Sequence, residues 1–218
     1  MDVNSLVQTV AIYAIPVLFA ITLHEAAHGY VARHFGDSTA YMLGRVSLNP
    51  VRHIDPIGTI VLPIVTLLLS GFMFGWAKPV PVNFQNLRHP KRDSLWVAAA
   101  GPASNLAQAL IWAAVARVLA EVISPTGLAG GFWLAVAEAG VVVNVAFAIL
   151  NLVPLLPLDG GRMLASILPG RLSYQYSRLE PYGMIILILL IVTPVLGRVL
   201  NPLVLGTLRA IYSLFGLQ

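Results

Sequence analysis

The chain has 218 residues, is 58% hydrophobic and only 10% charged, and has a mean hydropathy of +0.83; a soluble domain carries about a quarter charged residues, so an integral membrane protein is expected. Its net charge of +4 is scattered over short loops, without the clustered basic face of a nucleic-acid binder, and implies no nucleic-acid partner. With no cysteine, disulfides, iron–sulfur clusters and thiolate zinc sites are excluded, and any metal must be held by His and carboxylate.

No linker, low-complexity tract or internal repeat divides the chain, so residues 1–218 read as a single transmembrane domain. The N-terminus "MDVNSLVQTV" lacks a basic region, and its apolar run is too long for a signal peptide, so it reads as a retained helix. The fold class that follows is an all-α integral membrane bundle of about five to six membrane segments. A small membrane-associated β element and a re-entrant segment at 57–75 are expected within it.

Apolar segments lie at 4–32, 57–75, 94–122, 132–156 and 182–197, with a last piece at 199–216. A spanning helix needs about 20 apolar residues. Segments 4–32, 94–122 and 132–156 meet that length, and 182–197 is short but extendable.

The first segment carries His24-Glu25-Ala26-Ala27-His28, an H-E-x-x-H pattern with no helix breaker after Pro16. Positions i and i+4 project from one helix face, so both imidazoles can reach one zinc. Glu25 is placed to take a proton from water rather than to ligate. A pair of surface histidines near a helix end is the plain alternative, opposed by the cost of ionisable groups within a spanning segment.

Segment 57–75, "IGTIVLPIVTLLLSGFMFG", carries Pro63 and three glycines. Arg33, Arg45 and Arg52 precede it; Lys78, Arg88, Lys91 and Arg92 follow it; Arg162, Arg171 and Arg178 follow 132–156. Ten of the thirteen basic residues thus occupy three loops, which the positive-inside rule places in the cytoplasm. Segment 57–75 must then return to the side it entered. Next comes "AKPVPVNFQN", residues 77–86, read either as a sheet edge, where its prolines confine it, or as an extended surface loop. The loop "ISPTGLAGG" at 123–131 has no basic residue and suits an external turn between antiparallel helices.

A zinc hydrolase needs a third protein ligand, and only nine acidic residues exist. Asp159 stands apart, closing "NLVPLLPLDGGR" at the cytoplasmic end of 132–156. Pro154 and Pro157 break the helix there, Gly160 and Gly161 permit a sharp turn, and a broken end within the membrane zone must be covered by protein or a watery cavity. The other role open to Asp159 is to N-cap the helix at "RMLASIL". At about 1.5 Å per helical residue, His24 and Asp159 reach compatible depths only if 57–75 is not a single crossing.

"HEAAH" in a membrane helix, "AAAGPASNLAQA" opening a later one and "NLVPLLPLDGGR" ending the next resemble the site-2 proteases, zinc metalloproteases that cut within membranes, in the short form without PDZ or CBS domains. The resemblance implies one zinc ion, held by His24, His28 and Asp159, with Glu25 as general base and then acid. It implies for Asn151 a role in holding the substrate backbone or the oxyanion, beside the alternative of a helix-packing amide. Gly101, Pro102 and Asn105 match a "GPxxN" element, read as packing; Asn144 is similar, and His34 and His53 read as loop residues. The four tryptophans read as anchors or packing. A β-strand role for 77–86 in receiving substrate is also implied.

The function expected is that of an intramembrane zinc endopeptidase cutting within or next to transmembrane segments, in the manner of regulated intramembrane proteolysis. Its partners would be the lipid bilayer and a single-span transmembrane substrate pre-cut by another protease. The chain would sit in the membrane as a multi-pass protein, in the cell membrane if bacterial, with the active site toward the cytoplasm. Rival readings are a zinc transporter or metal-sensing membrane protein, disfavoured by the lack of repeated halves, a metalloprotease with a downstream Glu ligand, and an inactive scaffold.

Overall fold

The computed structural model describes residues 3–61, 64–66, 75, 77–122 and 128–217. It is dominated by helices. The first, α1 (Val3–His34), is apolar almost throughout and carries Pro16 inside. It ends in a Schellman turn, with Asp37 N donating to Ala32 O and Gly36 N to Arg33 O; Gly36, at φ +113°, supplies the left-handed step this turn requires. A four-residue helix, α2 (Thr39–Met42), follows, then short turns at Pro50–Arg52 and Pro56–Val61.

The long α3 (Pro90–Val122) starts with Pro90 at its first position, where the missing N–H costs nothing. Asp93 accepts from His89 N at 2.7 Å and places negative charge in the first turn, as the helix dipole favours. Pro102 lies inside α3. After it come α4 (Leu128–Asn151), α5 (Asp159–Ile167), α6 (Gly170–Ser177), α7 (Glu180–Val192) and α8 (Pro194–Phe215).

Helices α1, α3 and α4 form the core, and their contacts fix direction. On α1 and α3, His28 meets Val97 and Ala20 meets Asn105, with both imidazoles over Gly101. Rising numbers on one helix oppose falling numbers on the other, so the two are antiparallel in four-residue steps. Asn105 meets Asn144 and Trp112 packs over Gly140, so α3 and α4 are antiparallel as well. Helices α1 and α4 therefore run the same way and end on the same side. Helix α8 closes the far flank, with Ile211, Leu208 and Tyr212 against Ala109, Ala113, Val141 and Val145.

Among the described residues three helices are long and apolar enough to cross a membrane, at 4–34, 90–122 and 130–151; α6 and α7, bent by 63° at their junction, would together make a fourth. This is fewer than the five to six segments expected. Residues 182–197 are shared between α7 and α8 across a break at Thr193, and α8 carries Arg198, Asn201, Pro202 and Arg209, which lower its hydropathy. The middle of 57–75 lies outside the described residues. Of the residues that flank it, Lys78 N donates to His53 O at 3.0 Å.

The expected β element is not formed by the described residues. Residues 77–83 run without helix or strand, and their polar contacts explain why. The backbone is tied to side chains: Arg45 donates to Lys78 O and Pro79 O, Val80 N to Glu25, and Asn83 N to Asp37. Pro79 and Pro81 have no N–H to place in a ladder.

Candidate metal centre

Helix α1 presents His24 and His28 one turn apart toward α3, as their spacing requires. Their ring centroids lie 4.7 Å apart, nearly perpendicular. Asp159 comes to them from the first turn of α5. Its Oδ2 lies 3.1 Å from His24 Nε2 and its Oδ1 3.3 Å from His28 Nε2; the two Nε2 atoms are 3.1 Å apart. All three residues are buried. The N-cap position of α5 belongs to Leu158, so the capping alternative for Asp159 gives way to the imidazole contacts.

Gly160 and Gly161 act by closeness rather than by turning. Both lie in helix, and neither has positive φ. A Cβ on Gly160 would meet Leu152 O at 2.3 Å, and one on Gly161 would meet Leu156 N at 2.4 Å. The pair lets α5 start against the backbone of the broken segment 152–158, and that contact delivers Asp159 to α1.

The protonation pattern tests whether a cation fits. His28 Nδ1 faces Val97 O at 2.7 Å and His24 Nδ1 faces Asn105 Oδ1 at 2.6 Å; both oxygens only accept, so both Nδ1 atoms carry the proton. Each ring, when neutral, then turns an Nε2 lone pair inward. Two lone pairs and a carboxylate converge in a buried site, and Asp159 Oδ2 has no hydrogen-bond donor among the described residues. Acceptors facing acceptors are unfavourable without a cation between them. Two imidazole nitrogens and a carboxylate, with ligand atoms all within 4.8 Å of one another, suit zinc and leave a fourth position open.

The three residues open onto a cavity of about 570 Å³ that Glu25 and Asn151 also line. Glu25 is half-buried, and its Oε2 accepts from Val80 N at 2.7 Å. Asn151 donates to Phe147 O, one turn back on its own helix, at 3.0 Å, rather than bonding across helices. Arg162 reaches the rim, pairing with Glu180 at 3.1 Å and lying 5.4 Å from the Phe84 ring.

His34 and His53 are apart from the cluster. His34 ends α1, and His53 is buried with Nε2 on Ser47 O at 2.8 Å. Trp112 packs on Gly140, as a core side chain does. Two residues stand nearer the centre than their sequence context suggests. A Cβ on Gly101 would lie 2.5 Å from His24 Cε1 and His28 Nε2, so the absent side chain is what admits the imidazoles. Asn105, expected to pack, holds His24 directly. The four-residue spacing of 97, 101 and 105 against 20, 24 and 28 is the signal that pairs them.

A family model described as "Peptidase family M50" matches residues 12–193. Among curated proteins, the chain is similar to two called "Putative zinc metalloprotease" in their names. YwhC of Bacillus subtilis (strain 168) is 36% identical over 207 residues, covering 92% of this chain and 89% of that protein. Rip2 of Mycolicibacterium smegmatis is 29% identical over 182 residues, 83% of this chain and 66% of that protein. No solved structure matches.

Proposed function

The chain belongs to peptidase family M50 and is a zinc metalloprotease of the site-2 protease type, and on that premise we propose that it hydrolyses peptide bonds within or next to transmembrane segments of membrane-protein substrates. The observation that carries the reading is the convergence of two Nε2 lone pairs and the Asp159 carboxylate in a cavity shared with Glu25.

One zinc ion would be held by His24, His28 and Asp159, and when bound it supplies a polarised scissile carbonyl and an acidified water. Glu25 takes the proton of the attacking water and delivers it to the departing amine. The Val80 amide, 2.7 Å from its carboxylate, keeps Glu25 facing the cavity. Asn151 is read as a holder of the substrate backbone or oxyanion. The extended residues 77–83 form one wall of the cavity, and an unwound substrate segment would lie along it.

The whole chain acts as one metalloprotease domain in this reading, multi-pass in the membrane. The reading puts the site toward the cytoplasm, supported by the ten basic residues of the three loops and the positive-inside rule. The substrate is a single-span protein already cut by another protease, in a regulated intramembrane proteolysis pathway. The test is cleavage of a single-span reporter by purified chain. Glu25→Gln should lower the rate by about 10²–10⁴-fold with zinc retained; undiminished cleavage would sink the mechanism.

A further inference from the structure

The geometry points to Asn105 as a positioning residue for the metal centre, set in its orientation by Asn144 and a main-chain carbonyl of α4. The inference rests on the zinc reading of His24, His28 and Asp159.

Asn105 is fully buried between α1, α3 and α4. An amide in such a place can in principle face either way, since its oxygen and nitrogen have the same shape. Here the direction is determined from outside. Asn144 Nδ2 donates to Gly140 O at 2.9 Å, and a peptide oxygen cannot donate. Asn144 therefore turns its Oδ1 to Asn105, whose Nδ2 donates to it at 2.9 Å and to Ala20 O at 3.2 Å. Both hydrogens of the Asn105 amide are thereby used, and its Oδ1 is left facing His24 Nδ1 at 2.6 Å.

The consequence for the metal is specific. With an acceptor fixed at Nδ1, His24 carries its proton there and turns a bare Nε2 to the ion. Rotation of Asn105 would set its NH₂ against the His24 N–H and cost two further hydrogen bonds in a dry environment. The chain Gly140, Asn144, Asn105, His24 thus sets one tautomer and one ring plane from a carbonyl two side chains away. Val97 O does the same for His28 from the backbone. Of the two rings, only His24 depends on a side chain that a substitution can remove.

The test is zinc affinity of the full chain in detergent, by competition with a chelator, together with thermal unfolding of the zinc-depleted chain. Asn105→Leu and Asn105→Ala should weaken zinc about 10–100-fold, the range for a lost partner of a metal-bound histidine. Asn105→Asp, which keeps an acceptor on His24, should recover most of that loss, and Asn144→Leu should show a smaller loss than Asn105→Leu. The unfolding of the zinc-depleted chain should move little in Asn105→Ala. Wild-type affinity in both Asn105→Leu and Asn105→Ala, no recovery by Asn105→Asp, or failure of both apolar variants to fold would overturn the assignment. Zinc held equally by wild type and His24→Ala would instead remove the assignment of His24, His28 and Asp159 as ligands beneath it.

Discussion

The cavity has two walls built on different rules. The helical wall, from α1, α3 and the start of α5, is closed: each imidazole has its Nδ1 engaged, and glycines rather than side chains fill the approaches. The opposite wall, residues 77–83, is a piece of chain without helix or strand, tied to the rest by side chains at intervals. One wall engages the outer nitrogens of both imidazoles and turns their inner nitrogens toward the proposed metal position. The other keeps part of its backbone unpaired by any ladder, which is what a substrate in extended form requires. The contrast implies that damage to the first wall should be read in metal binding and damage to the second in substrate handling.

The largest break comes from Asp159→Ala. It removes an expected ligand, so zinc affinity should fall beyond the about 100-fold that loss of an outer partner causes, with cleavage abolished. Full zinc occupancy in that variant would mean another group completes the site. Gly101→Ala comes next. Its new methyl would sit within 2.6 Å of both imidazoles, which Asn105 and Val97 O prevent from yielding. Overpacking of about 1–3 kcal/mol should appear as a lower melting temperature together with reduced zinc content.

Asp37→Asn tests the second wall. Buried Asp37 accepts from Thr39 N and Oγ1, Asn83 N and Asn86 Nδ2. Burial works against its charge, but these donors outweigh that and hold its carboxyl below the usual range. A lowered folded value means stability that is present above the unfolded value of about 3.9 and lost as pH falls through the folded one. The variant should melt lower at pH 7, by about 2 kcal/mol, and the gap should close in acid. Its zinc affinity should match wild type while KM for the reporter rises; lost zinc would erase the distinction between the walls. The smallest effect belongs to Glu180→Ala. The Arg162–Glu180 pair is 37% and 44% exposed, so stability should change by no more than about 1 kcal/mol in thermal unfolding.

The same division explains what could be read in the sequence. Helices α1, α3 and α4 follow from apolar length, and His24, Glu25 and His28 from a spacing that a helix turns into one face. Asp159 could be found because so few acids exist and only one follows a doubly broken helix end. Asn105 could not be separated from a packing amide, since an asparagine in an apolar helix looks the same whether its oxygen meets another helix or an imidazole. Gly160 and Gly161 suggested a turn because glycine permits two things, positive φ and close approach, and composition does not distinguish them. Residues 77–86 have alternating valines, yet a strand needs a neighbour, and much of this backbone is bonded instead by side chains from Glu25, Asp37 and Arg45, none of them near it in sequence.

The proposed ligands enter the chain at very different times. His28 and Asp159 are separated by 131 positions (159 − 28), and synthesis at about 5–20 residues per second puts roughly 7–26 s between them. During that interval the two histidines and the proposed general base would have no carboxylate to complete them. With these ligands, the proposed site would be complete only once the helix that starts at Asp159 is docked.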